Sequence, residues 1–365
     1  MTVAVSPEKA GATIAEWYSC IIARSVEQAS QLKAKVDAMF KQIEKNERLL
    51  AYYALVNFRY RLMCKQASQR GADDEMLKRA GMVAEESVDH LLKYLYYFSC
   101  GQNEFVNERY RSAITLFRKA ERLLEYVENK EEEAEFHYYM GLSLYRISQY
   151  PFAGSYIEEA LVEFNRLGNK ERSIHCQTIL GGIYSETKQY DKAVLILNEA
   201  LAAAHPYPFS KMAVLRALGL NALRYHHYEQ ARQWFEKTLS YHEFQHTLIG
   251  VKNTYNLANT LYRLNLSQHA APYLKKAAIG AEFYRNKEYK ARCLATRGLY
   301  AEGNYALIDK AIEQLDKEGF DFEVDELAEE AATYFEQAGH TTLALKYLKI
   351  AYHAKQNLFK LGAGQ

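Results

Sequence analysis

Small residues recur along most of the chain with one fixed spacing. A glycine or alanine is followed twelve residues later by an alanine, and seven residues after that by a second small residue. The pattern occurs at Gly101-Ala113-Ala120, Gly141-Ala153-Ala160, Gly181-Ala193-Ala200, Gly219-Ala231-Thr238, Ala258-Ala270-Ala277 and Ala332-Ala344-Ala351, with a degenerate unit around Gly298. Consecutive units begin 34 to 40 residues apart, a period that predicts helical repeats.

The spacing predicts a pair of helices, A and B, in each unit. The first small residue lets helix A approach helix B, and the two later ones lie on one face of helix B. Bulky residues supply the rest of the core: Tyr110 and Phe117, Tyr150 and Tyr156, Tyr190 and Ile196, Tyr228 and Phe235. The arrangement resembles the tetratricopeptide repeat, which implies an all-α, right-handed superhelix of about seven repeats over residues 86–358. Pro272 falls inside a predicted helix B and is expected to kink it.

The periodicity changes before residue 86. Residues 7–23, 26–45 and 47–68 are amphipathic, with breaks at Arg24-Ser25 and near Asn46, and predict a three-helix bundle over residues 1–70. Gly71-Ala72-Asp73-Asp74 is expected to form a turn, and residues 71–85 a connecting helix region. The bundle lacks a glycine-containing tight turn before a polar helix, so direct nucleic-acid binding is not expected.

Composition narrows the function classes. Lysine plus arginine (46) nearly balances aspartate plus glutamate (45), which gives no basic footprint for nucleic acid or anionic membrane. The cysteines lie far apart without a CxxC pair, which indicates reduced thiols and neither a disulfide framework nor a zinc site. Glu8 and Glu16 interrupt the first apolar stretch, and no later stretch approaches the roughly 18 apolar residues of a membrane span. We therefore predict a cytoplasmic protein.

Three polar motifs invite chemical interpretations. His242-Glu243-Phe244-Gln245-His246 matches HExxH, a zinc-protease signature, but it lies at a helix end without an evident third ligand, which favours a chance match. His226-His227 lies in a predicted loop between two helices, where polar residues are expected. Asp321 to Glu330 is acidic because it opens a helix, where negative charge favours the dipole. No catalytic set or cofactor motif appears, so we predict no cofactor and no metal.

Binding residues are predicted along the concave side of the repeats. Channel-facing positions lie six, three and two residues before the small residue of helix A, and one, four and five after it. These positions give Lys252, Tyr255, Asn256, Asn259, Tyr262 and Arg263 in the fifth repeat, Arg216 and Arg224 in the fourth, and Glu186 in the third. Their amides and charges suit an extended peptide.

The whole pattern resembles the Rap proteins of Gram-positive bacteria. The matching segments are AEWYSCI at 15–21, ERLLAYYALVNFRYRLM at 47–63 and KAERLLEYVENKEEEAEFHYYM at 119–140. The resemblance implies that the bundle and connecting helix bind a bacterial response regulator or, in some members, a transcriptional repressor. It also implies that a short secreted Phr-type peptide binds in the repeat channel and switches the protein off.

Two positions depart from the family pattern. Glu47 stands where phosphatase members have a water-positioning glutamine, and a carboxylate about 4 Å from a phosphoryl charge is repelled by roughly 4 kcal/mol at an effective dielectric near 20. Leu50 and Phe58, which match family contact positions for the regulator, are kept. Ala217 replaces an asparagine that grips the peptide backbone, whereas Glu186 keeps an acidic position and suggests a peptide bearing lysine or arginine.

The sequence therefore predicts a peptide-controlled regulator of Rap type that sequesters a response regulator or transcription factor. Two alternatives stay open. One is an active aspartyl-phosphate phosphatase in which Glu47 replaces glutamine, and the other is a generic repeat scaffold without a signalling peptide. A repeat solenoid with an exposed terminal helix can also self-associate into a homo-oligomer, for which the sequence sets no number of subunits.

Overall fold

The N-terminal region contains four helices. The structure, a computed structural model, describes residues 6–42, 46–64 and 72–362. The first helices are α1 (Pro7–Ile22), α2 (Val26–Phe40), α3 (Glu47–Met63) and α4 (Ala72–Glu86). The predicted bundle helices are thus confirmed in position, and α1 and α3 pack around the buried Trp17 in one apolar cluster.

Seven helix pairs follow, as the repeat predicts. They are α5 (His90–Val106) with α6 (Tyr110–Glu121), α7 (Lys130–Arg146) with α8 (Tyr150–Arg166), α9 (Lys170–Glu186) with α10 (Tyr190–Ala203), α11 (Pro208–Arg224) with α12 (Tyr228–Leu239), α13 (Leu248–Arg263) with α14 (Ser267–Phe283), α15 (Lys287–Thr296) with α16 (Ala306–Lys317), and α17 (Asp321–Gln337) with α18 (Thr341–Gly362). The part of the chain that the structure describes is therefore all-α. Around Gly298 the degenerate unit ends its first helix with a π-helical turn, Arg297–Ala301.

The small residue of helix A meets helix B closely. A Cβ at Gly219 would lie 2.5 Å from Phe235, and one at Gly181 would lie 2.5 Å from Leu197, each sixteen residues later. The same register makes Ile157 a fully buried residue, whereas the predicted core residues Tyr156 and Ile196, one position earlier in their units, are only half-buried. The predicted close approach is confirmed, and the buried partner follows the sixteen-residue register.

The turn between helices A and B has a conserved backbone shape from unit to unit. In every unit one residue of this turn has a positive φ near 60–76°. These residues are Glu108, Ser148, Lys188, His226, Asn265, Gly303 and Gly339. Such a left-handed residue ends a helix by satisfying its last carbonyls. The small-residue pattern did not indicate it, because five of the seven are not glycine.

Two N-terminal expectations need correction. Helix α2 ends at Phe40 rather than at 45, and α3 ends at Met63 rather than at 68. Residues 43–45 and 65–71 lie outside the described part of the chain. The predicted turn at 71–74 is wrong for Ala72 to Asp74, which form the first turn of α4, and Asp74 accepts a hydrogen bond from Asn103 at 2.7 Å instead of capping.

Pro272 lies in α14, which continues as one helix through it, on the exposed face. None of the five cysteines, Cys20, Cys64, Cys100, Cys176 and Cys293, forms a disulfide. Within the described ranges, none of the helices combines the length and the hydropathy that a membrane span requires.

The chain divides into two compact units. One comprises residues 1–144 and 162–167, and the other comprises residues 145–161 and 168–365. This division falls inside the predicted repeat domain. The functional boundaries at residues 70 and 85 remain a prediction.

Candidate functional site: a charged cavity in the second unit

A cavity of about 580 Å³ lies within the second unit. Its wall comes almost wholly from the first helices of the repeats, α9, α11, α13, α15 and α17, together with the end of α7. This matches the predicted geometry, in which helix A faces the channel. The volume is typical of a small-molecule or short-peptide site.

Seven of the nine predicted channel residues line this cavity: Glu186, Arg216, Arg224, Tyr255, Asn256, Asn259 and Arg263. The other two do not. Tyr262 is buried and its ring stacks on Tyr300 with centroids 5.7 Å apart. The Lys252 ammonium lies 3.8 Å from Glu288 and over the ring of Tyr289. The counting rule therefore fails at these two positions, where the side chain contacts the next repeat.

Charged side chains form a continuous ion-pair chain along the wall. Its order is Glu323, Arg146, Glu288, Arg292, Glu326, Arg224 and Glu186, so that four carboxylates alternate with three guanidinium groups. Arg146 lies 2.9 Å from Glu323 and 3.6 Å from Glu288. We call this set the ion-pair chain.

Arg292 and Arg224 connect the remaining members. Arg292 contacts Glu288 at 2.9 Å and Glu326 at 2.6 Å. Arg224 contacts Glu326 at 3.1 Å with one nitrogen and Glu186 with the other. Three guanidinium groups thus hold carboxylates of α9, α15 and α17 together across the cavity.

The two inner carboxylates of the ion-pair chain stay ionised. Burial opposes the charge of Glu288, but Lys252, Arg292 and Arg146 outweigh it and hold its pKa well below the usual range. Burial also opposes the charge of Glu326, and there Arg292 and Arg224 lower the pKa.

The two terminal carboxylates of the ion-pair chain have raised pKa values instead. Burial raises the pKa of Glu186 to about 8, because the lost hydration and the nearby Glu326 outweigh Arg224. Burial likewise raises the pKa of Glu323 to about 7 against the attraction of Arg146. Each terminal carboxylate thus pairs with one guanidinium group of the ion-pair chain, and burial favours its protonated form.

A second cluster surrounds Glu330. Its carboxylate accepts hydrogen bonds from Asn259 at 2.7 Å and from Tyr300 at 3.0 Å, and pairs with Arg263 at 2.9 Å. Asn259 and Arg263 are thus already engaged inside the protein.

Three buried groups of uncharged polar side chains on the cavity wall have no hydrogen-bond partner within the described part of the chain. They are the Ser185 hydroxyl, the Asn221 side-chain oxygen and the Asn256 side-chain nitrogen. Ala217, where the family resemblance implies an asparagine, also lines the cavity, and Asn221 lies one helical turn after it. An extended peptide backbone offers both the donors and the acceptors that these groups can bind.

Sequence reasoning missed the acidic wall. Asp321 to Glu330 opens α17 as predicted, but Glu323, Glu326 and Glu330 line the cavity and pair with its arginines. Their spacing of three and four residues places them on one helix face. This spacing of glutamates in the first helix of a repeat is the sequence feature that indicates their position on the cavity wall.

The predicted partner-binding residues lie in the first unit. Glu47 is exposed at the first position of α3, and 44% of Leu50 is exposed. Phe58 is only 3% exposed. In this arrangement a partner can reach Glu47 and Leu50, but Phe58 is part of the interior.

A buried polar cluster joins the bundle to the repeats within this unit. Arg59 of α3 pairs with Glu132 of α7 and donates to the Tyr18 hydroxyl at 3.1 Å. Tyr94 of α5 donates to the same carboxylate at 3.1 Å. Because Arg59 and Glu132 are 5% and 0% exposed, each requires the other as a counter-charge.

The histidine motifs do not form a ligand set. Residues His242–Phe244 form a short 3-10 turn rather than an α-helix, and His242 contacts the Gln245 amide at 2.8 Å. Among the described residues no group of three histidine, cysteine or acidic side chains is placed to hold a metal. His226 and His227 lie in the predicted loop, where His226 contacts the Tyr228 hydroxyl at 2.7 Å and borders the cavity.

Comparisons with known proteins agree with this architecture. The family model "response regulator aspartate phosphatase H, N terminal" matches residues 4–65. The chain is 27% identical over 370 residues to the response regulator aspartate phosphatase H of Bacillus subtilis strain 168, covering 99% of this chain and 98% of that protein. It is 36% identical over 368 residues to a protein named type II methyltransferase M.CeqI of Rhodococcus hoagii, covering all of this chain and 71% of that protein.

A solved structure shares the fold over nearly the whole length. The crystal structure of a Rap protein complexed with competence and sporulation factor superposes with a TM-score of 0.90 and 23% identity. The match covers 97% of this chain and 99% of that chain. With the bundle, the seven repeats and the N-terminal family match, the chain belongs to the Rap family.

Proposed function

We propose that this protein is a cytoplasmic, peptide-controlled regulator that binds and sequesters a response regulator or a transcriptional repressor. The observation that carries the proposal is the cavity, whose wall combines paired charges with unpaired buried amide and hydroxyl groups. Such groups are costly to bury unless a ligand satisfies them. A short Phr-type peptide supplies the matching backbone groups.

The peptide part of the proposal has a direct test. Purified protein is incubated with the small-peptide fraction of spent medium from its native host and analysed by native mass spectrometry. We expect a mass increase corresponding to one short peptide, and Glu186→Gln to weaken its retention. Failure to retain any peptide at high concentration would leave a generic repeat scaffold as the better description.

The partner part rests on the exposed face of α3. Glu47 and Leu50 are accessible there, and the family resemblance implies partner contacts at these positions. Affinity purification of the tagged protein from its native cells, followed by mass spectrometry, is expected to recover a response regulator or a DNA-binding repressor. A Leu50→Asp variant, which puts a charge in the contact face, is expected to lose that partner, and Leu345→Asp, exposed on α18, is expected to retain it.

Sequestration is favoured over phosphatase activity because Glu47 is an exposed carboxylate. A neutral amide approaches a phosphoryl group without repulsion, whereas a carboxylate does not. With an aspartyl-phosphorylated response regulator as substrate, we expect no accelerated phosphate release by the natural protein and a gain with Glu47→Gln. Rapid release by the natural protein would instead establish the phosphatase alternative.

Methyl transfer, the activity in the name of the Rhodococcus relative, is not part of the proposal. Nucleotide-like cofactors are commonly held at a glycine-rich turn between a strand and a helix. The described residues present helices only, so nothing in them favours that activity.

A further inference from the structure

Arg224 contacts two carboxylates that lie on different helices. One guanidinium nitrogen donates to Glu186 of α9, and another donates to Glu326 of α17 at 3.1 Å. The third nitrogen, Nε, has no partner within the described part of the chain. A rotation of the side chain that breaks the contact with Glu186 therefore leaves Arg224 paired with Glu326.

The Glu186 end of the cavity is built for a cation. Among the described residues the two inner carboxylates of the ion-pair chain each pair with at least two cations, whereas Glu186 pairs with Arg224 alone. A ligand cation beside Glu186 would favour its ionised form against the effect of burial. The unpaired oxygens of Ser185 and Asn221 line the same cavity, and in sequence Ser185 precedes Glu186 whereas Asn221 lies about one helical turn before Arg224. A lysine or arginine side chain of a ligand can thus pair with Glu186 and donate to uncharged oxygen acceptors of the same cavity wall.

We propose that Arg224 is a built-in competitor for the ligand's cationic side chain. The ligand cation takes Glu186, and Arg224 moves onto Glu326, which already holds it by a second contact. This inference rests on the proposed peptide-binding function. Arg224 thereby makes binding selective for cationic peptides. A neutral peptide that displaced Arg224 from Glu186 would leave this carboxylate without a counter-charge.

The test compares two peptide probes that differ only in charge. One is a pool of short peptides with neutral randomised residues and one lysine, and the other is the same pool with Nε-acetyl-lysine. Binding to the full chain is measured by equilibrium dialysis with mass-spectrometric quantification. We expect Arg224→Met to retain about tenfold more of the lysine pool and no more of the acetylated pool, since about 1.4 kcal/mol corresponds to tenfold.

Two arginine variants separate competition from other effects. Arg232→Met on α12 is a matched control, because Arg232 also contacts two glutamates and its Nε also makes no hydrogen bond within the described part of the chain. Its side chain is 33% exposed, against 31% for Arg224, but it lies outside the cavity wall. This variant is expected to change the retention of neither peptide pool. Arg292→Met removes the same charge from the cavity without contacting Glu186, so it is expected to give a smaller gain.

The outcomes distinguish the inference from the function on which it rests. If the natural protein binds both pools and Arg224→Met changes neither, or if Arg292→Met gives an equal gain, Arg224 is not a competitor although peptide binding stands. If the natural protein and Arg224→Met bind neither pool, the peptide-binding function itself is overturned. Arg224→Lys, which keeps the charge, is expected to restore the low retention of the natural protein, and a thermal melt of each variant confirms folding.

Discussion

At the scale of single residues, the ion-pair chain contains glutamates with opposite proton affinities. Glu288 contacts several cations and its pKa is lowered. Among the described residues Glu186 pairs with Arg224 alone, and its pKa is raised to about 8. Burial is similar for both, so the number of neighbouring cations decides which carboxyl keeps its proton.

These pKa shifts predict that the stability of the fold falls as the pH rises from about 5 to 8. Glu186, Glu323 and Asp325 have raised pKa values of about 8, 7 and 7, mainly because they are buried, whereas in the unfolded chain they ionise near ~4. The folded state thus binds more protons between about pH 5 and 8, and the free energy of unfolding decreases over that range. Thermal melts from pH 5 to 9 should show a falling Tm.

Single substitutions identify the source of that dependence. Glu186→Gln should make the fall in Tm shallower, because its proton no longer leaves the folded state. Glu199→Gln, at an exposed position of α10, should leave it unchanged. A Tm that stays level or rises between pH 6 and 8 in the natural protein would contradict the assignment.

Glycine positions give a second prediction at this scale. Gly219→Ala should lower the free energy of unfolding by about 1 to 3 kcal/mol, because the new Cβ would lie 2.5 Å from Phe235 in the closed contact of helices α11 and α12. Gly154→Ala in α8 is the matched control, since no atom lies within 4 Å of its Cβ, and should raise stability by about 0.5 to 1 kcal/mol. Urea titration of both variants measures their free energies of unfolding. Equal effects would show that the close approach of α11 and α12 does not require glycine at position 219.

At the scale of elements, helix α3 is held to α5 and α7 by charge as well as by apolar packing. The Arg59 guanidinium also lies 5.0 Å from the ring centroid of Phe98 and 5.3 Å from that of Tyr18. A second ion pair, between Arg24 and Glu135 at 3.3 Å, joins the end of the first helix to α7. The bundle is therefore specified by buried polar contacts that tolerate little change.

Removal of one partner of the buried Arg59–Glu132 pair should strongly lower the free energy of unfolding. Arg59→Met leaves Glu132 buried without its counter-charge, and we expect a loss of about 3 to 5 kcal/mol in the free energy of unfolding. Arg79→Met breaks an exposed pair with Glu75 on α4, where the two side chains are 76% and 66% exposed, and should cost less than about 1 kcal/mol. Urea titration monitored by tryptophan fluorescence tests both variants, and similar losses of stability would refute the distinction between the buried and the exposed pair.

At the scale of the whole molecule, the proposed regulation connects a peptide site in one unit with a partner surface in the other. Linkage requires that the two ligands affect each other's affinity by the same factor. With the peptide and partner identified as above, saturating peptide should weaken partner binding by about 5- to 150-fold, and saturating partner should weaken peptide binding equally. Calorimetric titrations in both orders measure the two factors, and a peptide that leaves partner affinity unchanged would contradict peptide control.

The repeat, the helix pairs and much of the cavity wall were predictable, because each depends on spacing within one or two helices. Small residues twelve and seven apart encode the approach of helix B to helix A, and the same register places Glu186, Asn256 and Arg263 on the inner face. The predictions of a turn at 71–74 and of the end of α2 were wrong. Helix ends depend on capping and on contacts with neighbouring elements, which the spacing of apolar residues does not indicate.

The sequence by itself determined an all-helical repeat protein, its register and the side of each helix that faces the channel, since periodicity along one helix fixes which side chains share a face. Only the tertiary structure decided which charges meet. Arg146 and Glu323 are 177 residues apart, and Arg224 and Glu326 are 102 apart. Such contacts depend on how successive repeats stack, and no local pattern records them. For the same reason the sequence placed Tyr262 in the channel and Phe58 on the surface, whereas packing against neighbouring helices buries both.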